Sequence, residues 1–292
     1  MKARDFFYRS SGSLRAPWQW IGFLLIAASV GLLTVVFAAP YALRLLSPEA
    51  VSFWSLLAGL LAAHVVMVRL VDRGAWAPIG LARRQASPPR LAVGLVAGSL
   101  GILAPSGVLL AAHWLRDTPA SAPYSWIHYS ASLAAFFLPQ SLAEEMLSRG
   151  YLFARTREAI GWKGALAITS VGFGLLHMAN PGATPLSIVV VIIAGAFLGG
   201  ILLLTDSLYA AWMAHFAWNW SMAAVLHATV SGLPAHPPGY RMIDQGPTWL
   251  TGGVWGPEGG AAAALGMVVC IVALVAWRRR SPHAAPFDRM ET

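Results

Sequence analysis

Residues 142–150 read Leu142-Ala143-Glu144-Glu145-Met146-Leu147-Ser148-Arg149-Gly150, and they close a run that carries no charge from Thr118 to Ala143. Two adjacent carboxylates therefore arrive where hydrocarbon is due. An ionisable side chain inside a membrane segment costs several kcal/mol and usually faces a protein interior or a water-filled cavity, which makes it a functional candidate. On a helix that advances about 100° per residue, Arg149 lies about 40° from Glu145 and about 140° from Glu144. Arg149 is thus the natural ion-pair partner of Glu145, and Glu144 is left free to hold a water. The alternative is that the helix simply ends here and all three charges are solvated at the membrane face.

Outward from this stretch the chain is apolar throughout. Of its 292 residues 57% are hydrophobic and 11% charged, with a mean hydropathy of +0.62. That is more apolar surface than one soluble core of this length can bury. The expected fold class is an all-α polytopic membrane protein. A bilayer core about 30 Å thick takes roughly 20 apolar residues of helix, which divides the chain into about eight spans: roughly 17–43, 50–68, 91–115, 125–148, 164–179, 185–205, 208–230 and 259–277. The charge-free window from Lys163 to Asp206 holds two of them. Asn180-Pro181-Gly182 and Pro185 supply the turn, because proline lacks the amide donor and disfavours helix in the residue before it.

The basic residues test this division independently. With the N-terminus inside, only Arg44, Arg116 and Arg241 of the 20 lysines and arginines fall outside. Such a bias points to both termini in the cytoplasm, as in a bacterial inner (plasma) membrane. The first apolar run is longer than the hydrophobic part of a signal peptide and is read as a retained span. The whole chain, 1–292, is expected to form one integral-membrane domain with short cytoplasmic tails at 1–16 and 278–292. The net charge of +8 does not imply nucleic acid, since the basic residues lie between spans and not along one face; the lipid bilayer is the partner they suit. Cys270 is the sole cysteine, so an intrachain disulfide framework or thiolate metal cluster is excluded.

Two further helices carry polar groups at helical spacing. Phe173 and His177 share one face of the fifth span, and His215 and Asn219 share one face of the seventh. Either pair can be read as interhelical hydrogen bonding alone. Together with Glu144 they form a chemical set: a carboxylate to deprotonate water, an imidazole to position it, and a second imidazole with an amide to donate to a developing oxyanion. Ser141 and Ser148 lack a nucleophile-elbow context, and no H-E-x-x-H zinc signature is present. His64, His113, His128 and His227 have no motif partner and are read as packing or interface residues. Gly195 and Gly199 mark close helix packing.

In this order the pieces resemble the CPBP (CAAX protease and bacteriocin-processing, Abi) family of intramembrane endopeptidases. Its E-E-x-x-x-R pattern is matched by Glu144, Glu145 and Arg149, F-x-x-x-H by Phe173 and His177, and H-x-x-x-N by His215 and Asn219. The similarity covers roughly residues 125–225 and includes Gly195 to Gly200 and Thr205 to Leu208. The resemblance implies eight helices around an intramembrane polar cavity. It implies Glu144 as general base, His177 orienting the water, His215 and Asn219 stabilising the oxyanion, and Glu145, Arg149 and Phe173 in support. It also implies a membrane-associated protein or peptide substrate. Two cofactor readings stay open: Glu144, His177 and His215 can ligate a divalent metal such as zinc, or a buried glutamate can act without one, and metal-free hydrolysis is the working expectation. The cavity is expected to open toward the cytoplasm or sideways to lipid. The non-enzymatic alternative is a membrane scaffold or bacteriocin self-immunity protein; a proton-coupled transporter would need repeats or paired broken helices that the sequence lacks.

Overall fold

Proline and hydroxyl caps start most of the long helices, because their first amides have no partner within the helix. In the computed structural model, which describes residues 7–8, 14–44, 46–118, 125–235 and 240–280, α1 (Ala16–Ala42) opens with proline in its first turn. Ser47 caps α2 (Pro48–Val65), which continues as a π-helical segment, Val66–Val71. Then come α3 (Pro88–Ala111), α4 (Trp126–Arg149) capped by Ser125, α5 (Tyr151–Leu176), and α6 (Pro185–Thr205), whose Thr184 and Ser187 form a reciprocal capping box. Ser207 caps α7 (Leu208–Trp220), followed by a π-helical Ser221–Val225, and α8 (Ala261–Arg280) ends the described chain. The tail readings at residues 1–6, 9–13 and 281–292 lie outside the described residues.

Among the described residues eight helices thus stand near the eight expected spans, but they are not eight equal crossings. Six described stretches are long and apolar enough to cross a membrane, and one of them, Trp126–Leu176, is 51 residues long. The sequence reading ended the fourth span near residue 148 and began the fifth near 164, and α4 does end at Arg149. After a break at Gly150 (φ −83°, ψ −125°), helix resumes earlier than expected, at Tyr151, and continues to Gly161. Gly161, at φ 80° and ψ 168°, reverses the chain in a conformation that side-chain-bearing residues rarely adopt. The charges at 144, 145 and 149 therefore stand at the C-terminal end of α4, just before the break at Gly150. The seventh helix has only 13 α-helical residues, too few to span alone.

His64 explains the break at Gly150. Its Nδ1 donates to Leu60 O at 2.8 Å, so its Nε2 accepts the Tyr151 amide at 3.1 Å, an amide the interrupted helix leaves unpaired. A Cβ on residue 150 would lie 2.3 Å from that Nε2. Below the break, Asp72 accepts from Gln19 Nε2 (3.1 Å) and the Tyr151 hydroxyl (2.7 Å) and faces Arg155 at 3.7 Å. These contacts tie α1, the end of α2 and α5 together.

Helices that carry the polar residues approach each other closely through small residues. A Cβ on Gly94 would meet Ala210 O at 2.1 Å and one on Gly98 would meet Ala214 O at 2.0 Å, so α3 and α7 run side by side at backbone contact. Gly195 faces Ser170 and Gly199 faces Leu166, which packs α5 against α6 and bears out the close-packing reading of that pair. At the N-terminus of α7 the connection 72–87 is bound by Leu208 N to Gly80 O (3.1 Å), Ser207 Oγ to Gln85 O (2.7 Å) and Gln85 Nε2 to Asp206 Oδ2 (3.0 Å). At the opposite end, β1 (Leu115–Asp117) pairs antiparallel with β2 (Met242–Asp244).

Candidate active site

Glu145 is fully buried and Arg149 is 1% exposed, so the solvated-helix-end alternative does not hold. Arg149 Nη1 donates to Glu145 Oε1 at 3.0 Å, the i,i+4 pairing that the spacing predicts. Its Nη2 reaches Gly195 O at 3.0 Å, and its guanidinium lies 4.2 Å over the Phe173 ring. Glu145 Oε1 also accepts from His215 Nδ1 at 2.9 Å. One carboxylate thus neutralises an arginine and orients an imidazole, a second task the sequence reading did not give it.

Glu144 points elsewhere. Its Oε1 accepts from Gln140 Nε2. Its Oε2 accepts no hydrogen bond from the described residues and lies 4.0 Å from His177 Nε2 and 3.7 Å from His215 Nε2. His177 donates Nδ1–H to Phe173 O at 2.8 Å, so its Nε2 carries the lone pair on the side facing Glu144. The Phe173 ring packs 4.8 Å from His177 and 5.8 Å edge-on from His215, fixing both imidazoles. Three helices, α4, α5 and α7, thereby bring Glu144, His177 and His215 to one point.

Asn219 arrives through an intermediary. Its Nδ2 donates to Gln140 Oε1 at 3.2 Å, and Gln140 in turn donates to Glu144. Gln140 was missed by the sequence reading, although its signal was present: an amide in an apolar run, one helical turn before Glu144. Glu258 was used only to bound a charge-free window. It is buried and accepts from Trp218 Nε1 (2.8 Å), Ser231 Oγ (2.9 Å) and the Ser231 amide. Because Asn180 Nδ2 donates to Ser231 O at 3.1 Å, Glu258 joins the segment after α7 to the turn that follows His177.

These residues line a cavity of about 660 Å³ whose walls include Phe53, Tyr129, Phe136, Phe137 and Leu233 besides Glu144, His177, His215 and Asn219. Its exposed lining residues are Ser47, Glu49, Leu233 and Pro234 at the rim and Leu176, 61% exposed, on the flank. That rim lies at the start of α2 and beside the connection after α7, away from the arginine-rich connections. The side with Ser148, Arg149 and Phe153 is filled by buried side chains.

A tetrahedral zinc with ligand bonds of about 2.0–2.2 Å requires donor atoms roughly 3.3–3.6 Å apart. The 4.0 and 3.7 Å separations are wider than that. Among the described residues no group of three or more His, Cys, Asp or Glu side chains is arranged to hold a metal ion.

Fold and site together define a polytopic α-helical membrane protein with a carboxylate–imidazole cluster inside its helix bundle. Residues 125–221 match the family model described as Type II CAAX prenyl endopeptidase Rce1-like. The chain is thus similar to the CAAX-protease (CPBP) family over that segment, and with the apolar helices the similarity supports a CAAX-protease-like intramembrane endopeptidase. No curated protein and no solved structure matched the chain.

Proposed function

We propose that the protein hydrolyses a peptide bond of a membrane-associated protein or peptide with a water activated by Glu144, without a metal ion. The observation that carries this reading is the convergence on Glu144 Oε2 of two imidazole Nε2 atoms, at 4.0 and 3.7 Å, beside a cavity large enough for an extended peptide segment. A water held between them gives one proton to Glu144 Oε2 and directs its other hydrogen to His177 Nε2. Its lone pair attacks the carbonyl carbon. The developing oxyanion receives hydrogen bonds from His215 Nε2, in the imidazolium form that donates through Nδ1 to Glu145, and from the second amide hydrogen of Asn219. Collapse expels the amine, to which Glu144 returns the proton. Donors aimed at charge that exists only in the transition state lower the barrier without tightening substrate binding.

The test is proteolysis in reconstituted membranes by Glu144→Ala, His177→Ala and His215→Ala, each checked for folding. All three are expected to lose turnover, by about 10²–10⁴-fold for the base. Folded variants that process a substrate as well as the parent would falsify the reading and leave a scaffold or immunity role. Full activity after stringent chelation is expected; loss that zinc restores would overturn the metal-free part alone.

A further inference from the structure

The cavity has a mouth at one end and a plug at the other, and the charge distribution says which end faces which compartment. Phe53 against Phe136 and His64 against Tyr151 set α2 and α4–α5 in parallel register, so the start of α2 lies beyond Glu144 toward the start of α4. Ser47 and Glu49 form the rim there, with Leu233 and Pro234 of the segment after α7 across from them. Leu176, 61% exposed, lines the cavity's flank. In the other direction Glu145, Arg149, Tyr151 and Phe153 are all buried, and beyond them stand Asp72, Arg155 and Glu158. The plugged end is the one where the connections 69–90 and 155–163 carry their arginines and lysine. Basic connections remain on the cytoplasmic side.

We infer that the site takes its substrate from the non-cytoplasmic face, so that it cleaves a peptide segment presented at the outer surface or outer leaflet rather than a cytoplasmic tail. This rests on the reading of Glu144, His177 and His215 as a peptidase site for the chemistry, and on the position of the mouth for the direction. Peptide segments that reach such a site are those of exported or membrane-anchored proteins whose cleaved part lies outside. A cytoplasmic segment would have to pass the buried Glu145–Arg149 pair, which holds α4 to the backbone of α6.

Accessibility of an introduced thiol tests the direction without a known substrate. In a Cys270→Ser background, Leu233→Cys at the rim, Arg84→Cys in the basic connection and Glu144→Cys at the site are labelled with a membrane-impermeant thiol reagent in right-side-out and in inverted vesicles. Leu233→Cys and Glu144→Cys are expected to react at least tenfold faster in right-side-out vesicles, and Arg84→Cys in inverted ones. The reverse pattern, or a Glu144→Cys thiol that reacts from neither side while Leu233→Cys reacts, overturns the inference. Should Glu144→Cys not fold, Leu233→Cys and Arg84→Cys still decide the orientation of the mouth. The outcome is separable from the peptidase reading: outside labelling of Glu144→Cys alongside an active Glu144→Ala enzyme would remove the chemistry and leave the access route.

Discussion

Glu144 and Glu145 are neighbours in the chain with separate partners, and the separation decides what each substitution does. Glu145 Oε1 is shared by Arg149 and His215 in a buried setting, whereas Glu144 Oε2 faces the two imidazole Nε2 atoms and the cavity. Glu144→Gln keeps the size and the contact to Gln140 and is expected to abolish turnover in proteoliposomes with little change in thermal unfolding. Glu145→Gln strands a buried arginine, which typically costs about 3–5 kcal/mol, and removes the group that orients His215. It is expected to lower the unfolding midpoint and the activity together, and equal stability of the two variants would contradict this division. Gln140 adds a third case. It donates to Glu144 and accepts from Asn219, which a leucine of similar size cannot do. Gln140→Leu should reduce kcat by less than the about 10²–10³-fold cost of removing an oxyanion donor itself, with KM nearly unchanged. Its effect should also be far smaller in an Asn219→Ala background, because the two residues act as a unit.

The elements explain how three helices hold His177 Nε2 and His215 Nε2 4.0 and 3.7 Å from Glu144 Oε2. Backbone contact between α3 and α7 through Gly94 and Gly98 fixes the depth of His215, which directly follows Ala214. A Cβ at Gly98 would fall 2.0 Å from Ala214 O, so Gly98→Ala has to push α7 away. Overpacking of this kind costs about 1–3 kcal/mol, and the variant is expected to melt earlier and to lose activity by displacing His215. An unchanged melting curve would mean that the helices separate freely. Glu258 acts on the segment after α7. A glutamine there has a single acceptor oxygen and cannot serve both Trp218 and Ser231, so Glu258→Gln should loosen the cavity wall at residues 230–235. The expected signature is a raised KM for a membrane substrate with kcat less affected. A pure kcat loss would place Glu258 in the chemistry instead.

At the scale of the whole molecule, the arrangement is two successive helices, α4 and α5, with the break between them capped by His64 and Glu144 beside the cavity. The eight-span outline, the basic-side bias and the three polar pairs were legible in the sequence, because hydropathy over about 20 residues and i,i+4 spacing are properties of a single helix. The motif residues that meet were legible for the same reason: each pair lies on one face of one helix. The end of the fourth span was legible to within a residue, but the helical segment from Tyr151 to Gly161 was not, because Gly150 reads alike whether the chain leaves the helix there or resumes it under a capping histidine from another helix. Gln140 and Glu258 were overlooked because their partners lie 79 and 40 residues away. The direction of the cavity was not legible either, since it depends on which helix ends pack and which stay apart. The sequence by itself determined the membrane class, the family segment and the candidate polar residues, all of which depend on local composition and period. Only the tertiary structure decided which carboxylate faces the imidazoles, what neutralises the buried arginine, and at which end the site is open, because those outcomes are contacts between helices distant in the chain.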